Sequence, residues 1–258
     1  MKKRSLLLFK AICITALLIN ASWGYAQELT VSAAGSLSSA FKEIGAAFEA
    51  QNPGVTVTLN FAAAGVLLRQ MEQGAPVDVF ASADQEMMDR AVEKSLVVPH
   101  SRTDFAQNTL VLVIPHGSHN VPAQLSDLTR DVYTHIGVGR PGITPAGNYI
   151  HQLLVDADLW DILEGKFVFA EHVTQVVQYV ATKEADVGFV FITDATKNAQ
   201  SMDIAFPVSE PTAFVYPIAQ AANSGQPELA AKFIEFVTGE QGREIMDRHG
   251  FALPAPNP

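Results

Sequence analysis

A single cysteine occurs in 258 residues, Cys13, inside an N-terminal apolar stretch. The rest of the chain therefore has neither a disulfide nor thiol chemistry. Basic residues are also few: 17 Lys and Arg stand against 27 Asp and Glu. Four of the 17 (Lys2, Lys3, Arg4 and Lys10) lie in the first 26 residues, which hold no acid, so residues 27–258 carry a net charge of −14. That excludes a nucleic-acid binder working through a basic face and argues against docking on anionic lipid. Catalytic signatures are missing as well. Ser36 stands in Ala34-Gly35-Ser36-Leu37-Ser38, which lacks the second glycine of a nucleophile elbow, and neither a phosphate-binding Gly-Lys-Ser/Thr loop nor a dinucleotide fingerprint occurs. Of the seven histidines only His116 and His119 have a metal-ligand spacing, and they flank Gly117-Ser118 between two prolines, as in a solvated turn. What is abundant is apolar sequence, at 48% of residues, which excludes disorder and suffices for one large or two ordinary domains.

The N-terminus reads as a secretory signal over residues 1–26. Lys2-Lys3-Arg4 precedes an apolar run from Ala11 to Ile19, and Gly24-Tyr25-Ala26 offers small residues at a cleavage site. A membrane anchor is the competing reading, but Lys10 interrupts the run, which falls far short of the roughly 20 residues needed to span. Cys13 lies within the run, a poor context for lipidation. The expectation is a soluble exported protein held in a periplasm, with no direct membrane insertion.

Beyond residue 27, short apolar strands alternate with helices, the pattern of parallel α/β sheets. Strands are expected at 29–33, 55–59, 77–81, 110–114, 136–138, 167–169, 187–192 and near 214–218. Helical stripes follow from Leu37 to Phe48, over 66–73 with Gly74 as its stop, and from an Asp84 N-cap. Others run over 146–157, 173–180, 227–237 and 241–249. Leu110-Val111-Leu112-Val113-Ile114 is unbroken apolar sequence, as in a strand buried on both faces.

The positive functional signal lies at strand-to-helix junctions. Ser36 follows the first strand and opens a helical stripe, as an N-cap does. Ala62-Ala63-Ala64-Gly65, Thr144-Pro145-Ala146-Gly147 and His172-Val173 occupy three further junctions. Each puts small residues or free backbone amides at a helix start, where unsatisfied N–H groups and a partial positive charge favour anions. In open α/β sheets ligands gather at the carboxyl ends of strands, where all four junctions fall.

Ala33-Ala34-Gly35-Ser36-Leu37, Asn60-Phe61-Ala62-Ala63-Ala64-Gly65 and the stretch from Gln70 to Asp84 resemble the periplasmic molybdate-binding proteins of ABC importers. Pro145-Ala146-Gly147-Asn148-Tyr149, Ala170-Glu171-His172-Val173, 187–195 and Arg248-His249-Gly250-Phe251 continue the match, which spans about 28–253. The resemblance implies an α/β, two-lobe type II periplasmic-binding-protein fold, each lobe a mainly parallel sheet flanked by helices, joined by two crossing strands. Lobe 1 would be 27–108 plus 213–258, and lobe 2 would be 109–212. It implies a monomeric, non-enzymatic solute-binding protein without a cofactor, which captures molybdate and tungstate and delivers them to a membrane permease.

The oxyanion would be held by the Ser36 hydroxyl and by amides at Ala64, Ala146 and Val173, with Phe191 at the position of a family tyrosine. Ala64 stands where the family has a second serine. Two hydroxyl donors are thus absent. Thr144, His172 and Arg140 are candidate replacements. The residues leave open whether the pocket is weaker or wetter, or tuned to another oxyanion such as sulfate. An exported hydrolase with Ser36 as nucleophile is the reading from a different class, and no sequence-local base supports it. A fully ionised oxyanion only accepts hydrogen bonds, so the site should offer donors and no carboxylate.

Overall fold

The computed structural model of the chain describes residues 27–210 and 213–254. The expected export signal at 1–26, with Cys13, lies outside the described residues. Within them, no helix is long and apolar enough to cross a membrane.

Ten strands form two five-stranded sheets. In chain order the first sheet receives β1 (Gln27–Ala34), β2 (Val55–Ala62), β3 (Val79–Ala81) and β4 (Thr103–Asn108). The second receives β5 (Leu110–Pro115), β6 (Ile136–Gly139), β7 (Phe167–Ala170), β8 (Val187–Phe191) and β9 (Met202–Pro207). The chain then returns to the first sheet as β10 (Phe214–Gln220). The orders are β2-β1-β3-β10-β4 and β7-β6-β8-β5-β9. The chain crosses between the sheets twice, at Thr109 and between Pro207 and Phe214.

Both sheets are mainly parallel, as expected: in each, four strands run one way and a single strand, β10 or β5, runs against them. β1 pairs in parallel with β2 and β3, whereas β10 runs antiparallel to β3 and β4. The second sheet repeats this, with β6 parallel to β7 and β8, and β5 antiparallel to β8 and β9. The antiparallel pairings come from the strands at the two crossings, whose direction is set by where the chain enters each sheet.

Helices α1 (Ser38–Gln51), α2 (Ala64–Glu72), α3 (Gln85–Glu93), α8 (Pro227–Thr238) and α9 (Glu240–Arg248) flank the first sheet. Helices α4 (Pro145–Asp156), α5 (Trp160–Leu163), α6 (Val173–Ala181) and α7 (Ile192–Lys197) flank the second. Strand alternation distributes the cores. Val79 and Ala81 point into a cluster with Phe41, Phe48 and Phe233, while Phe80 between them points into one with Leu67, Met88 and Ala91. The rings of Phe48 and Phe233 meet edge to face at 5.2 Å. β5 shows the same split: Leu110, Leu112 and Ile114 face one cluster and Val111 and Val113 the other, so the unbroken apolar run is buried on both faces.

Two strands escape the sequence pattern, β4 and β9. Each lies at the edge of its sheet, so residues such as Asp104 and Asp203 are tolerated there and the alternation is blurred; the outer side of β4 is covered only where Gln107 exchanges two backbone hydrogen bonds with Ala252. Ile192, expected as the last residue of β8, instead opens α7. Asp84 caps α3 by accepting from the Met87 amide at 2.7 Å, and Gly74, at φ +83°, lies just past the end of α2.

Candidate functional site

Parallel register brings the junctions together in pairs. Ala34 of β1 lies opposite Ala62 of β2, so Gly35-Ser36 emerges beside Ala63-Ala64. In the second sheet Gly139 of β6 lies opposite Ala170 of β7, so Arg140 emerges beside Glu171-His172.

Ser36 is not the N-cap that its position suggested. It lies inside a 3-10 turn, Gly35–Leu37, whose cap residue is Ala34, and no side chain caps the turn. The Ser36 side chain instead sits beside Tyr216, with Oγ and Oη 3.4 Å apart. Among the described residues no side chain caps α2 at Ala63, α6 at His172 or α7 at Phe191 either. The first turns of α2 and α6 keep amides for water or a ligand, whereas the Ile192 amide that opens α7 donates to Thr109 O at 2.8 Å. At α2 the earliest bonded amides are those of Val66 and Leu67, both to Ala63 O, which leaves the N–H groups of Ala64 and Gly65 open.

Helix α4 is arranged differently. Thr144 accepts the Gly147 amide at 3.0 Å and donates to Arg140 O at 3.4 Å. Its hydroxyl is spent as a cap, so Thr144 does not replace a missing donor. Pro145 has no N–H, which makes the Ala146 amide the first donor of the helix. The helix start is pressed onto β6: a Cβ at Gly147 would lie 2.2 Å from Gly139 O. Only the absence of a side chain lets these two backbones meet so closely.

The other candidates stand at the rim. Arg140 Nε donates to Glu171 Oε1 at 2.7 Å, with both side chains close to half exposed, and its guanidinium lies 5.3 Å from the centre of the Phe169 ring. The cation is thus neutralised locally. His172 is exposed. Phe191 is half-buried and meets Phe214 of β10 edge to face at 5.0 Å, and Tyr149 of α4 reaches Phe214 at 5.3 Å. This aromatic cluster joins the two sheets. His116, away from the junctions, pairs with Asp203 at 2.9 Å, and among the described residues no group of three or more His, Cys, Asp or Glu could hold a metal ion.

Sequence reasoning missed a polar network at the crossing. Asn108, fully buried at the end of β4, accepts the Thr109 amide at 3.0 Å. It donates to Thr193 Oγ1 at 3.1 Å and to Tyr216 Oη at 3.2 Å. Tyr216 lies in the apolar run Val215-Tyr216-Pro217-Ile218 and reads as core, so only its polar tip hints at more. Burial raises the Tyr216 phenol above its ordinary value, and the charges of Asp194 and Asp84 push the same way.

Asp194, on α7, is pushed up to about 6 by burial, against the pull of Lys197. Its folded value exceeds the ordinary 3.8, so the native state holds this proton more tightly than the unfolded chain. Stability from this group is complete at low pH, falls as pH rises from about 4 through about 6, and is level above that. Asp194→Asn should flatten this decline and stabilise the protein at neutral pH by about 1–3 kcal/mol. Thermal melts of both proteins between about pH 4 and 8 check the sign: an unchanged slope would contradict it.

The chain is 38% identical over 230 residues to the molybdate-binding protein ModA of Mycobacterium tuberculosis, covering 89% of this chain and 86% of that one. It is 34% identical over 236 residues to the molybdate-binding protein ModA of Escherichia coli, covering 88% and 89%. Among solved structures, the substrate binding domain of a putative molybdenum ABC transporter from Clostridium difficile superposes with a TM-score of 0.79 at 34% identity, covering 88% of this chain and 99% of that one. The architecture is that of type II periplasmic binding proteins. The family model for the bacterial extracellular solute-binding protein matches residues 29–252, and the chain belongs to that family.

Proposed function

We propose that this protein captures molybdate, and tungstate with it, between two lobes and delivers the anion to the membrane permease of an ABC importer. The lobes are 27–108 plus 213–258 and 109–212, hinged at the two crossings. The Ser36 hydroxyl and the amides of Ala64, Ala146 and Val173 hold the anion, without catalysis and without a resident cofactor. The protein acts as a monomer in the periplasm after removal of residues 1–26. The observation that carries this reading is that, at the carboxyl ends of strands in each sheet, register sets helix starts with open amides side by side. The relatives named as molybdate-binding support the choice of anion.

Donors drawn from both sheets give the closed state contacts that the open state lacks, so the anion itself drives closure. A second reading is motivated by Ala64 and Phe191, each of which replaces a family hydroxyl: the same fold then prefers another oxyanion, such as sulfate. A thermal-shift panel of oxyanions separates the two. A ligand that binds only the folded state stabilises it by about 2.7 kcal/mol at a hundredfold excess over its Kd. Molybdate should raise the melting temperature more than sulfate at equal concentration. The reverse order would favour the second reading, and no shift with any oxyanion would overturn both.

A further inference from the structure

We propose that Asp194 makes the captured species an anion together with a proton: its carboxylate, placed behind the oxyanion site, is protonated as the anion arrives, so that affinity is highest in mild acid and falls as the carboxylate ionises. The inference rests on the reading of the junctions as an oxyanion site.

Topology places the carboxylate. β8 runs parallel to β6 with Gly188 opposite Gly137, and β6 parallel to β7 with Gly139 opposite Ala170. The end of β8 therefore lies level with the junctions at Arg140 and His172, and there the chain turns into α7 with Asp194 in its first turn. A line of polar contacts arrives from the first sheet. Ser36 Oγ lies 3.4 Å from Tyr216 Oη, which is 3.2 Å from Asn108 Nδ2. That nitrogen lies 3.1 Å from Oγ1 of Thr193, the residue before Asp194. The turn at Gly250 also rests on α7, where a Cβ on the glycine would stand 3.1 Å from Thr196 Oγ1. Asp194 is thus held where the two sheets meet.

Its charge is poorly balanced. Among the described residues no hydrogen bond reaches the carboxylate, and Lys197 is the one charge that acts on it. β5 and β8, packed against α7, hold no titratable residue, and α6 brings Tyr179. β9 brings Asp203, which is occupied by His116 and the Gly117 amide. On the side of the first sheet stand Tyr216 and Asp84, the latter engaged as the cap of α3. Around the Gly250 turn Asp247 is exposed, and Arg248 and His249 are both held by Glu43. At the rim Arg140 is paired with Glu171, and His172 is exposed. Burial already raises the Asp194 carboxyl to about 6. A bound dianion adds like charge, which favours the neutral form further. By linkage, the anion then binds more tightly wherever that proton is available.

The test is calorimetric titration with molybdate between about pH 5.5 and 8, in two buffers of different ionisation enthalpy, on wild type, Asp194→Asn and His172→Asn. Wild-type affinity should fall by about five- to twentyfold across that range, the size of a like-charge repulsion partly screened by water. The buffer pair should report uptake of about half a proton at about pH 6.5. Asp194→Asn should match wild type at the acid end, exceed it by the same factor at the alkaline end, and take up no proton. Comparison with this variant also subtracts any titration of the anion itself. His172→Asn should keep both the slope and the uptake, since an imidazolium beside the anion is the other source of such a slope. A merely structural Asp194 would alter stability and leave proton uptake in place. That result overturns the proposal, as does uptake lost in His172→Asn instead. Wild-type binding without proton uptake overturns it too, whether or not Asp194→Asn folds, and leaves the functional reading intact. Wild-type protein that binds no oxyanion at any pH would overturn the functional reading itself.

Discussion

Ala64→Ser and Phe191→Tyr should each tighten molybdate binding by about five- to a hundredfold, as expected for one hydrogen bond to a charged acceptor worth about 1–3 kcal/mol. Ala64 opens α2, where no side-chain cap competes for a new hydroxyl, and its amide remains free to bond the same ligand. Phe191 is fixed by its edge-to-face contact with Phe214, so an added phenol oxygen extends a ring already held in place. The double variant should gain less than the product of the two, because both groups act on one anion. The opposite outcome is equally specific. If the pocket has been reshaped for another anion, the new hydroxyls find no oxygen in range and are buried unpaired, lowering stability without improving molybdate binding. Isothermal titration together with thermal melts reads both quantities, and loss of stability with unchanged affinity would remove molybdate as the preferred ligand.

The second large effect is expected at Gly147. A methyl group there would stand 2.2 Å from Gly139 O, well inside any tolerated contact, and the neighbouring atom is backbone rather than a flexible side chain. Gly147→Ala must lift the first turn of α4 off β6. Overpacking of this kind lowers stability by about 1–3 kcal/mol. The lift also displaces the Ala146 amide and breaks the cap from Thr144 to Gly147. If Ala146 is a ligand donor, affinity should fall by about ten- to a hundredfold beyond the loss of stability. Titration at a temperature where the variant is fully folded separates the two. A destabilised variant with wild-type affinity would mean that the α4 start does not touch the anion.

Much of this was legible in the sequence because the relevant physics is local. Strand alternation, the Asp84 cap and the all-apolar β5 each depend on neighbours in the chain. The amides at Ala64, Ala146 and Val173 could be found because a helix start exposes them whatever its side chains are. Three features were not legible. The Ser36 side chain sits beside Tyr216, 180 residues away, and the capping reading failed because the chain first enters a 3-10 turn. Thr144 looked like a spare donor until its partners, Gly147 and the Arg140 carbonyl, were seen to consume it. The one opposing strand in each otherwise parallel sheet depends on where β5 and β10 insert, which no short window of sequence encodes.

The placement of β10 has a consequence for the order in which the chain acquires structure. The second sheet is assembled from one uninterrupted stretch, Leu110 to Pro207, whereas the first needs β10 between β3 and β4, and Phe233 from α8 in its core. A polypeptide emerging from its N-terminus, whether from a ribosome or through a secretion channel, completes the later half of its architecture before the earlier one. Until residues beyond 214 arrive, β3 and β4 present open edges of the kind that recruit foreign strands. The N-terminal segment must therefore wait, partly assembled, for its own C-terminus. During that interval this protein depends most on being kept from its neighbours.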